Sequence, residues 1–441
     1  MRVIVLTGLN EGEAEYKNMG DVAMLQAAVG RLLALWPEAA IEVLTDSPFN
    51  LGRYCPGAKP LPRAGCACWV ENRIFPGRYQ HLLPKWLSSR LGALTRVIGL
   101  HWPFLLEFLI HRRLSLGGGS NQRKEFNHFM EAFHSADLLA VCGSGGFADS
   151  CQKWNLSALG TMEAAIRRGI RVVMFGQGMG PLSDPIVLSK AKEVLPRVAL
   201  ITLRGSRGGL ALLESMGVSS AKVLTTGDEA IDLAYSARIK EPGAAIGINL
   251  RIASYAGVHV DTVAQVRSVL QEFARQRQVG LLPIPIAFHD YANDQQTIRQ
   301  LLAGFDDHSD GGRSLEAPLK LIHQAARCRI VVTGAYHAAI FALAQGIPVV
   351  CLSNSPYYLA KFQGLEDLFG VGCAIVTLSE PNLQHRLTAA IEEMWNTADA
   401  VRSPLLQSAL RQIKAGRGAY QYVSDMLSSE TSQTHAILLE A

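Results

Sequence analysis

Short runs of apolar, largely β-branched residues alternate with helical segments along most of the chain, and this alternation limits the possible folds more than any other feature. A first series of runs lies at 3–6, 41–44, 138–142, 171–175, 200–203 and 222–224. A second lies at 245–250, 281–287, 330–333, 349–352 and 374–376. Near-continuous apolar strands separated by helices are typical of a parallel sheet covered on both faces. We therefore predict an α/β protein with two Rossmann-like, doubly wound domains in tandem, which face each other across a cleft.

The chain length supports two domains, because 441 residues exceed what one hydrophobic core usually serves. Lys-Glu-Pro-Gly at 240–243 separates the two series of strands and has the composition of a linker. We predict an N-terminal domain at 1–240, with a helical insertion at about 70–130, and a C-terminal domain at 244–428. The polar segment 429–441 is predicted to be a disordered tail.

Composition narrows the class of protein. Hydrophobic residues make up 49% of the chain and charged residues 18%, which favours a well-packed globular protein over a disordered one. The net charge of +4 permits an anionic ligand but is not concentrated in a dense basic stripe. We therefore expect no nucleic-acid partner.

Cysteine usage and the N-terminal residues indicate the compartment. Eight cysteines occur without the spacing of a metal site, so we expect no metal and reduced thiols. The first apolar run is short and is followed closely by Glu11, Glu13 and Glu15, unlike a signal peptide. We expect a cytoplasmic protein, with peripheral contact at the inner face of the membrane as an alternative.

Residues 84–115 break the alternating pattern, because they are strongly apolar yet contain several lysine and arginine residues. Gly92, Gly99 and Pro103 interrupt a single long helix, and the apolar run is too short to span a bilayer. Two interpretations stay open. The segment forms two helices that cover a sheet, or it forms a basic, aromatic surface that contacts the membrane, where lipid-linked sugars reside.

Candidate site residues stand where predicted strands end, because ligands of doubly wound sheets bind outside the carboxyl ends of the strands. In the first domain these are Asn18, Gly20 and Asp21, Ser144 and Gly145, Gly176, Gln177 and Gly178, Arg204, and Asp228. Glycines let a ligand approach the backbone, and a guanidinium can clamp a carboxylate or phosphate. A tight turn explains the glycines equally well, and Asp21 and Asp228 can be simple helix caps.

The second domain adds Arg251 after its first strand, His289 and Asp290 after its second, Tyr336 and His337 at the start of a helix, and Lys361. His337 is either a functional residue at the cleft or a hydrogen-bonded structural histidine. Residues 330–352 contain no Asp or Glu. Glycosyltransferases with twin domains usually keep an acidic residue near there for the donor ribose, so this segment disfavours a nucleotide-sugar donor.

The ordered motifs resemble the polysaccharide pyruvyltransferases from about residue 10 to 370. They are Asn18-x-Gly-Asp21, Gly143-Ser-Gly-Gly146, Gly176-Gln-Gly-Met-Gly-Pro181, Leu203-Arg204 with Ser206, Thr226-Gly-Asp228, Gly247-Ile-Asn-Leu-Arg251, His289-Asp290, and Tyr336-His337 with Gly346-Ile-Pro348 and Lys361. The resemblance implies a fold similar to the GT-B glycosyltransferases. It also implies transfer of the pyruvyl group of phosphoenolpyruvate onto sugar hydroxyls, without a cofactor.

The resemblance also implies roles for individual residues. In the family an Arg-x-His triplet and a further arginine hold the donor; His337 and Arg204 match two of these, whereas Ala335 occupies the position of the triplet arginine. Arg251, Arg329 or Lys361 could supply the missing cation. We expect Gly176, Gln177, Gly178 and Tyr336 to complete the donor site and Asn18, Gly20, Asp21, Ser144 and Gly145 to bind the acceptor. His337 is the candidate acid, and Asp21, Asp228 or Asp290 the candidate base.

Three functions remain open on the sequence. A pyruvyltransferase consumes phosphoenolpyruvate, a glycosyltransferase of similar fold binds a nucleotide sugar, and a non-catalytic relative binds a glycan without turnover. The expected partners are a small donor and a sugar or lipid-linked glycan acceptor.

Overall fold

The structure is a computed structural model that describes residues 1–8, 16–70, 98, 102–117, 120–205, 207–252, 257–289, 292–305 and 309–440. Its first sheet has parallel strands in the order β3-β2-β1-β4-β5-β6-β7. They are β1 (Arg2–Leu6), β2 (Ala40–Thr45), β3 (Lys59–Pro62), β4 (Leu138–Val141), β5 (Arg171–Gln177), β6 (Leu200–Leu203) and β7 (Val223–Thr225).

The second sheet is also parallel, in the order β14-β13-β12-β8-β9. Its strands are β8 (Ala245–Asn249), β9 (Leu281–Pro283), β12 (Cys328–Thr333), β13 (Val349–Ser353) and β14 (Cys373–Thr377), and a small antiparallel pair comprises β10 (Phe288–His289) and β11 (Ala292–Asn293). Two parallel sheets, one for each series of strands, agree with the predicted fold class.

Helices cover both faces of the sheets. Those of the first half are α1 (Met19–Leu35), α2 (Pro48–Tyr54), α3 (Arg63–Val70), α4 (Pro103–Gly117), α5 (Ser120–His134), α6 (Gln152–Arg167), α7 (Pro185–Val194), α8 (Gly209–Ser215) and α9 (Ala230–Ser236). Those of the second half are α10 (Val260–Arg277), α11 (Asp294–Leu302), α12 (Pro318–Ala326), α13 (Tyr336–Leu343), α14 (Pro356–Phe369) and α15 (Leu383–Glu440). Among the described residues, no helix combines the length and apolarity needed to cross a bilayer.

Within the two parallel sheets, the structure differs from the sequence prediction at strands β3 and β9. Strand β3, Lys-Pro-Leu-Pro, was not predicted, because two prolines argue against a strand; it lies at the edge of the sheet, where a missing N–H is tolerated. Strand β9 covers 281–283 rather than 281–287, since Pro283 and Pro285 interrupt its hydrogen-bond ladder.

The C-terminal segment also differs from its prediction. Helix α15 continues to Glu440, where we predicted a disordered tail beyond residue 428. The segment 429–440 contains neither Gly nor Pro, the residues that most readily end a helix, and includes the helix formers Ala, Leu, Glu and Gln.

Helix α15 begins in the second half of the chain and ends against the first. The ring of Tyr420 stacks on Phe175 of β5 with centroids 3.8 Å apart, and its hydroxyl donates to Glu229 at 2.6 Å. Glu229 also pairs with Arg31 of α1 at 3.2 Å. Because all of these side chains are largely buried, α15 is part of the packing of both sheets.

The carboxyl ends of the strands in the two sheets face each other. The backbone N–H of Met19 donates to Ile286 O at 2.9 Å, and that of Phe288 donates to Lys17 O at 2.8 Å. These bonds join the loop after β1 to the segment after β9. They close one side of the cleft that the strand ends form.

Candidate active site in the interdomain cleft

A cavity of about 360 Å³ lies between the two sheets at the carboxyl ends of their strands. Its volume is within the range usual for small-molecule sites. The residues that line it come from both halves of the chain: Gly8, Asn18, Asp21, Ser144, Gly145, Gly146, Ser150, Cys151, Arg204, Arg251, Ile286, His289, Ala335, Tyr336, His337, Tyr357, Tyr358 and Lys361. Most of the predicted site residues therefore meet in one place.

Arg204 follows β6 and is fixed from several sides, although it is only 4% exposed. Its guanidinium lies 4.4 Å from the centre of the Tyr336 ring, and Nη1 lies 3.5 Å from Oδ2 of Asp228. A Cβ on Gly178 would come within 2.7 Å of Nε, so glycine is needed there for the guanidinium to fit. These contacts hold the cation in one orientation before any ligand arrives.

His337 stands in the first turn of α13 and packs across the cleft against Gly20 of α1. Its Nε2 is buried, lies 3.6 Å from Oδ2 of Asp228, and has no hydrogen-bond partner in the part of the chain that the structure describes. Asp228 is itself buried and accepts from the backbone N–H of Ala230 at 2.9 Å. The imidazole is thus oriented by a carboxylate on one side and by a glycine backbone on the other.

The environment of Asp228 keeps it charged. Burial alone would raise its pKa, but His337, the Arg204 cation and the Ala230 N–H outweigh that cost and hold the pKa below its usual value. Asp228 lies behind His337 and Arg204 and does not line the cavity. Its placement suits it to position these two side chains, and its assignment as the base for the acceptor hydroxyl stays a prediction.

Arg251 lines the cavity next to a buried carboxylate, Asp294. Asp294 accepts from both Nε and Nη2 of Arg251, and also from Asn249 Nδ2 and from the backbone N–H groups of Ile286 and Ala287. The charge of Arg251 is thus balanced inside the protein, and the Asp294 carboxylate holds its guanidinium group in place.

Lys361 differs from the two arginines, because no carboxylate of the described residues lies within 4 Å of its Nζ. The ammonium donates to the Tyr357 hydroxyl and lies 3.8 Å from the centre of that ring. Burial lowers its pKa well below the usual value, and the nearby cations Arg204 and Arg251 lower it further against the opposing effect of Asp21 and Cys151. Lys361 therefore lies in the cleft without a carboxylate partner within 4 Å among the described residues, and burial disfavours its charged form until an anion binds.

The predicted acceptor residues lie on the first sheet's side of the cavity. The side chain of Asn18 caps α1 by accepting from the backbone N–H groups of Gly20 and Asp21, at 3.1 and 3.4 Å. Asp21 and Ser144 line the cavity, and the Ser144 hydroxyl accepts from the N–H of Gly146 at 3.1 Å. Gly20 serves instead as the contact surface for His337.

Three predicted residues lie elsewhere. Gly176 donates its N–H to Thr202 Oγ1 at 2.7 Å, and Gln177 Nε2 donates to the carbonyls of Val141, Cys142 and Phe175, so the structure places both in the hydrogen bonding of the first sheet. Arg329 stands at the other end of β12 and pairs with Asp399 at 2.7 Å, which removes it as the substitute cation. Asp290 lies outside the described residues.

Sequence reasoning missed the partners of the site cations. Tyr357 accepts from Lys361 and donates to Gly145 O at 3.3 Å, and its spacing of four residues from Lys361 on α14 was the available signal. The pairing of Asp294 with Arg251 joins residues 43 positions apart, which no local pattern reveals. The structure also places Ser150 and Cys151 in the cavity.

The described residues contain no cluster of three or more His, Cys, Asp or Glu side chains placed to hold a metal ion. The basic character of the cavity comes instead from Arg204, Arg251 and Lys361. Such an arrangement binds anions through charge-assisted hydrogen bonds.

Two solved structures with a similar fold share only 10% and 13% sequence identity with this chain. A UDP-GlcNAc 2-epimerase from Methanocaldococcus jannaschii superposes with a TM-score of 0.52 at 10% identity, covering 96% of this chain and 99% of that one. HepE from Anabaena in complex with UDP superposes with a TM-score of 0.51 at 13% identity, covering 97% and 99%. These likenesses show the fold, which is GT-B-like with two Rossmann-like sheets.

Sequence comparison identifies the family. No curated protein sequence matches this chain. The sequence model of the family described as polysaccharide pyruvyl transferase matches residues 18–356, which is more than half of the 441 residues and includes every described residue that carries charge in the cavity except Lys361. The chain therefore belongs to the polysaccharide pyruvyl transferase family, a family of transferases.

Proposed function

We propose that the cleft transfers the pyruvyl group of phosphoenolpyruvate onto two hydroxyls of a sugar or glycan precursor, giving a ketal for polysaccharide biosynthesis. The observation that carries the proposal is the charge of the cavity. Arg204, Arg251 and Lys361 converge there, and Lys361 has no carboxylate within 4 Å among the described residues. A donor with both a carboxylate and a phosphate would pair with these basic groups and favour the protonated form of Lys361.

The reaction balances without a redox partner. A proton adds to the methylene carbon of phosphoenolpyruvate, and an acceptor hydroxyl attacks the adjacent carbon. The bond from that carbon to the phosphate oxygen then breaks, with its electron pair leaving on phosphate, and a second hydroxyl closes the ring. The two acceptor hydroxyls release two protons. One returns to the acid that protonated the methylene carbon, and the other leaves with the phosphate.

The described side chains can perform these steps. His337 is the proposed acid, because it lines the cavity and is oriented by Asp228 at Nε2. Arg204 and Lys361 would bind the anionic donor and stabilise the charge that develops on the departing phosphate. Asp21 is the remaining described carboxylate on the cavity wall and is the proposed acceptor for a hydroxyl proton.

Lys361 is also the best candidate to replace the family arginine at Ala335. Ala335 lines the same cavity and is buried at the N-cap of α13. Arg251 is engaged by Asp294 and Arg329 is remote, whereas Lys361 is a cation without a balancing carboxylate among the described residues. We infer that the cation at this position now comes from α14 instead of the loop before α13.

A nucleotide-sugar donor is the alternative, supported by the fold shared with HepE in complex with UDP. The absence of Asp and Glu from 330–352 leaves that part of the cleft without a carboxylate for a ribose. A non-catalytic relative that binds a glycan is the third possibility, motivated by Ala335.

Thermal-shift and turnover measurements separate the three. Phosphoenolpyruvate should raise the melting temperature, UDP-sugars should not, and incubation with a glycan acceptor should release phosphate and add a pyruvyl ketal detectable by mass spectrometry. His337→Gln should retain the thermal shift and lose phosphate release. Stabilisation by a UDP-sugar alone would establish the alternative, and glycan binding without phosphate release would establish the third.

We also propose that the acceptor is presented at a membrane surface. The side chains of Trp102, Phe104 and Phe108, on or next to α4, are 59%, 74% and 59% exposed. Arg112 on the same helix is also exposed. Exposed aromatic rings beside a cation suit the interface of an anionic bilayer.

A further inference from the structure

A second, smaller cavity adjoins the first on the other side of Arg204 and Lys361. We call it the phosphate slot; its volume is about 70 Å³. It shares Gly145, Arg204, Tyr336, Tyr357 and Lys361 with the main cavity, so these residues form the wall between the two. On its far side it is lined by Met179, Arg207, Ala360 and several glycines.

The size and lining of the phosphate slot suit a small oxyanion. Its volume exceeds the roughly 10–15 Å³ needed for one water but is far below the roughly 300 Å³ of the smallest usual ligand pockets. Three of its lining residues are basic, namely Arg204, Arg207 and Lys361, and none of the described residues that line it is acidic. This volume matches an ion of the size of phosphate better than a sugar.

Contacts between the two halves of the chain flank the slot at both ends. On the inner side the Tyr357 hydroxyl reaches Gly145 O at 3.3 Å and accepts from Lys361. On the outer side Arg207 forms two hydrogen bonds to Asp367 of α14, at 2.6 and 2.9 Å. Both partners of that outer pair are partly exposed. The slot thus lies between the main cavity and solvent, with cations along its length.

We propose that the phosphate slot is a separate binding site for inorganic phosphate, through which the leaving group departs from the main cavity. The proposal rests on the proposed function, since only a phosphorylated donor produces that leaving group. Arg204 and Lys361 border both cavities, so an anion released between them can pass to Arg207 without losing contact with a cation. If phosphate leaves through the slot, the acceptor's side of the main cavity stays free for the newly formed ketal.

The test introduces a negative charge into the slot alone. Ala360 is exposed on α14 and lines the slot but not the main cavity. Ala360→Glu should weaken the binding of inorganic phosphate about tenfold, as expected for one unfavourable charge in a small cationic site. Glutamine has nearly the same shape as glutamate but no charge, so Ala360→Gln should change the phosphate affinity less than twofold. Phosphate binding is measured by titration calorimetry with the full chain, both free and saturated with phosphoenolpyruvate in the absence of acceptor.

The protein saturated with phosphoenolpyruvate should still bind phosphate, and neither variant should change the affinity for phosphoenolpyruvate more than twofold. A second variant, Arg207→Gln, should weaken phosphate binding, whereas Arg167→Gln, which removes a partly exposed arginine paired with Glu163 away from the slot, should not. Equal phosphate affinity for the Glu and Gln variants, or no phosphate binding at all, overturns the proposal. Loss of phosphate binding upon saturation with phosphoenolpyruvate overturns it as well, because there is then one anion site rather than two.

The result is separable from the proposed function. The wild type could fail to bind phosphoenolpyruvate while the free protein binds phosphate, more weakly in Ala360→Glu than in Ala360→Gln. In that case the assignment of the donor is wrong, and the assignment of the slot as a phosphate site is supported.

Discussion

Gly20 of α1 and the imidazole of His337 are in direct contact across the cleft: a Cβ built on Gly20 would lie 2.0 Å from Nδ1 and 2.1 Å from Cγ. No side chain fits between them. The position of the proposed acid therefore requires a residue without a Cβ at position 20, in the opposite half of the chain.

Gly20→Ala should displace His337 and lower the rate of phosphate release at least tenfold, because a misplaced acid loses most of a contribution of about 10²–10⁴. Steady-state kinetics measures the effect. Gly30→Ala on the same helix is the control, since a Cβ there meets no atom within 4 Å. It should stabilise the protein by about 0.5–1 kcal/mol and leave the rate unchanged. Full activity of Gly20→Ala would show that the acid is not His337.

Lys361→Ala should weaken binding of phosphoenolpyruvate about tenfold or more, as expected for the loss of a charged hydrogen bond of about 1.5–3 kcal/mol. Adding Ala335→Arg to this variant should restore part of the affinity, because the two cations reach the donor from different elements. Arg329→Ala is the control, since that arginine pairs with Asp399 away from the cleft. Unchanged donor affinity in Lys361→Ala would remove the lysine from the donor site.

Binding of the donor should be coupled to proton uptake by Lys361. Burial and the neighbouring cations Arg204 and Arg251 lower the pKa of the free ammonium, with Asp21 and Cys151 opposing them. An anionic donor favours the charged form, so the affinity should fall as the pH rises through the lowered pKa. Calorimetry in buffers of different ionisation enthalpy measures the protons taken up. Lys361→Arg should bind with less proton uptake, because its guanidinium stays charged; equal uptake in both proteins would exclude the lysine as its source.

Asp228→Asn should lower the activity of the proposed acid His337 and the stability of the protein at neutral pH. The pKa of Asp228 is lowered in the native state, so its carboxylate stabilises the fold above its unfolded pKa of about 3.9, and this contribution is lost as the pH falls through the native pKa. The variant should therefore show a smaller loss of unfolding free energy on acidification than the wild type. Urea denaturation at a series of pH values measures the difference. If the unfolding free energy of the two proteins varied with pH in the same way, Asp228 would not have a lowered pKa in the native state.

Flotation with anionic liposomes tests membrane contact by α4. The wild type should be captured at low salt and less at high salt, because exposed charges are screened. Phe104→Glu should reduce capture strongly, whereas Phe49→Glu, at a residue 79% exposed on α2, should not. No capture of the wild type at low salt would leave only a packing role for this helix.

The two sheets and most of the cavity could be predicted, because they follow from local patterns. Arg204, Lys361 and His337 each follow a recognisable strand, and parallel topology brings strand ends to one edge. The residues that neutralise or orient these groups could not be predicted, since Asp228 and His337 meet across 109 positions and opposite halves of the chain. Gln177 shows the converse: it ends a strand beside the site, yet its amide satisfies three buried carbonyls.

The return of α15 to the first sheet means that the protein cannot be cut into two independent halves near residue 240. Tyr420 stacks on Phe175 and bonds to Glu229, so an isolated first half would expose the apolar surface that this helix covers. The chain passes between the halves twice, once at the linker and once through α15. If the cleft opens to admit a donor, we expect the chain to bend at both places together, as a hinge rotation about the line joining them.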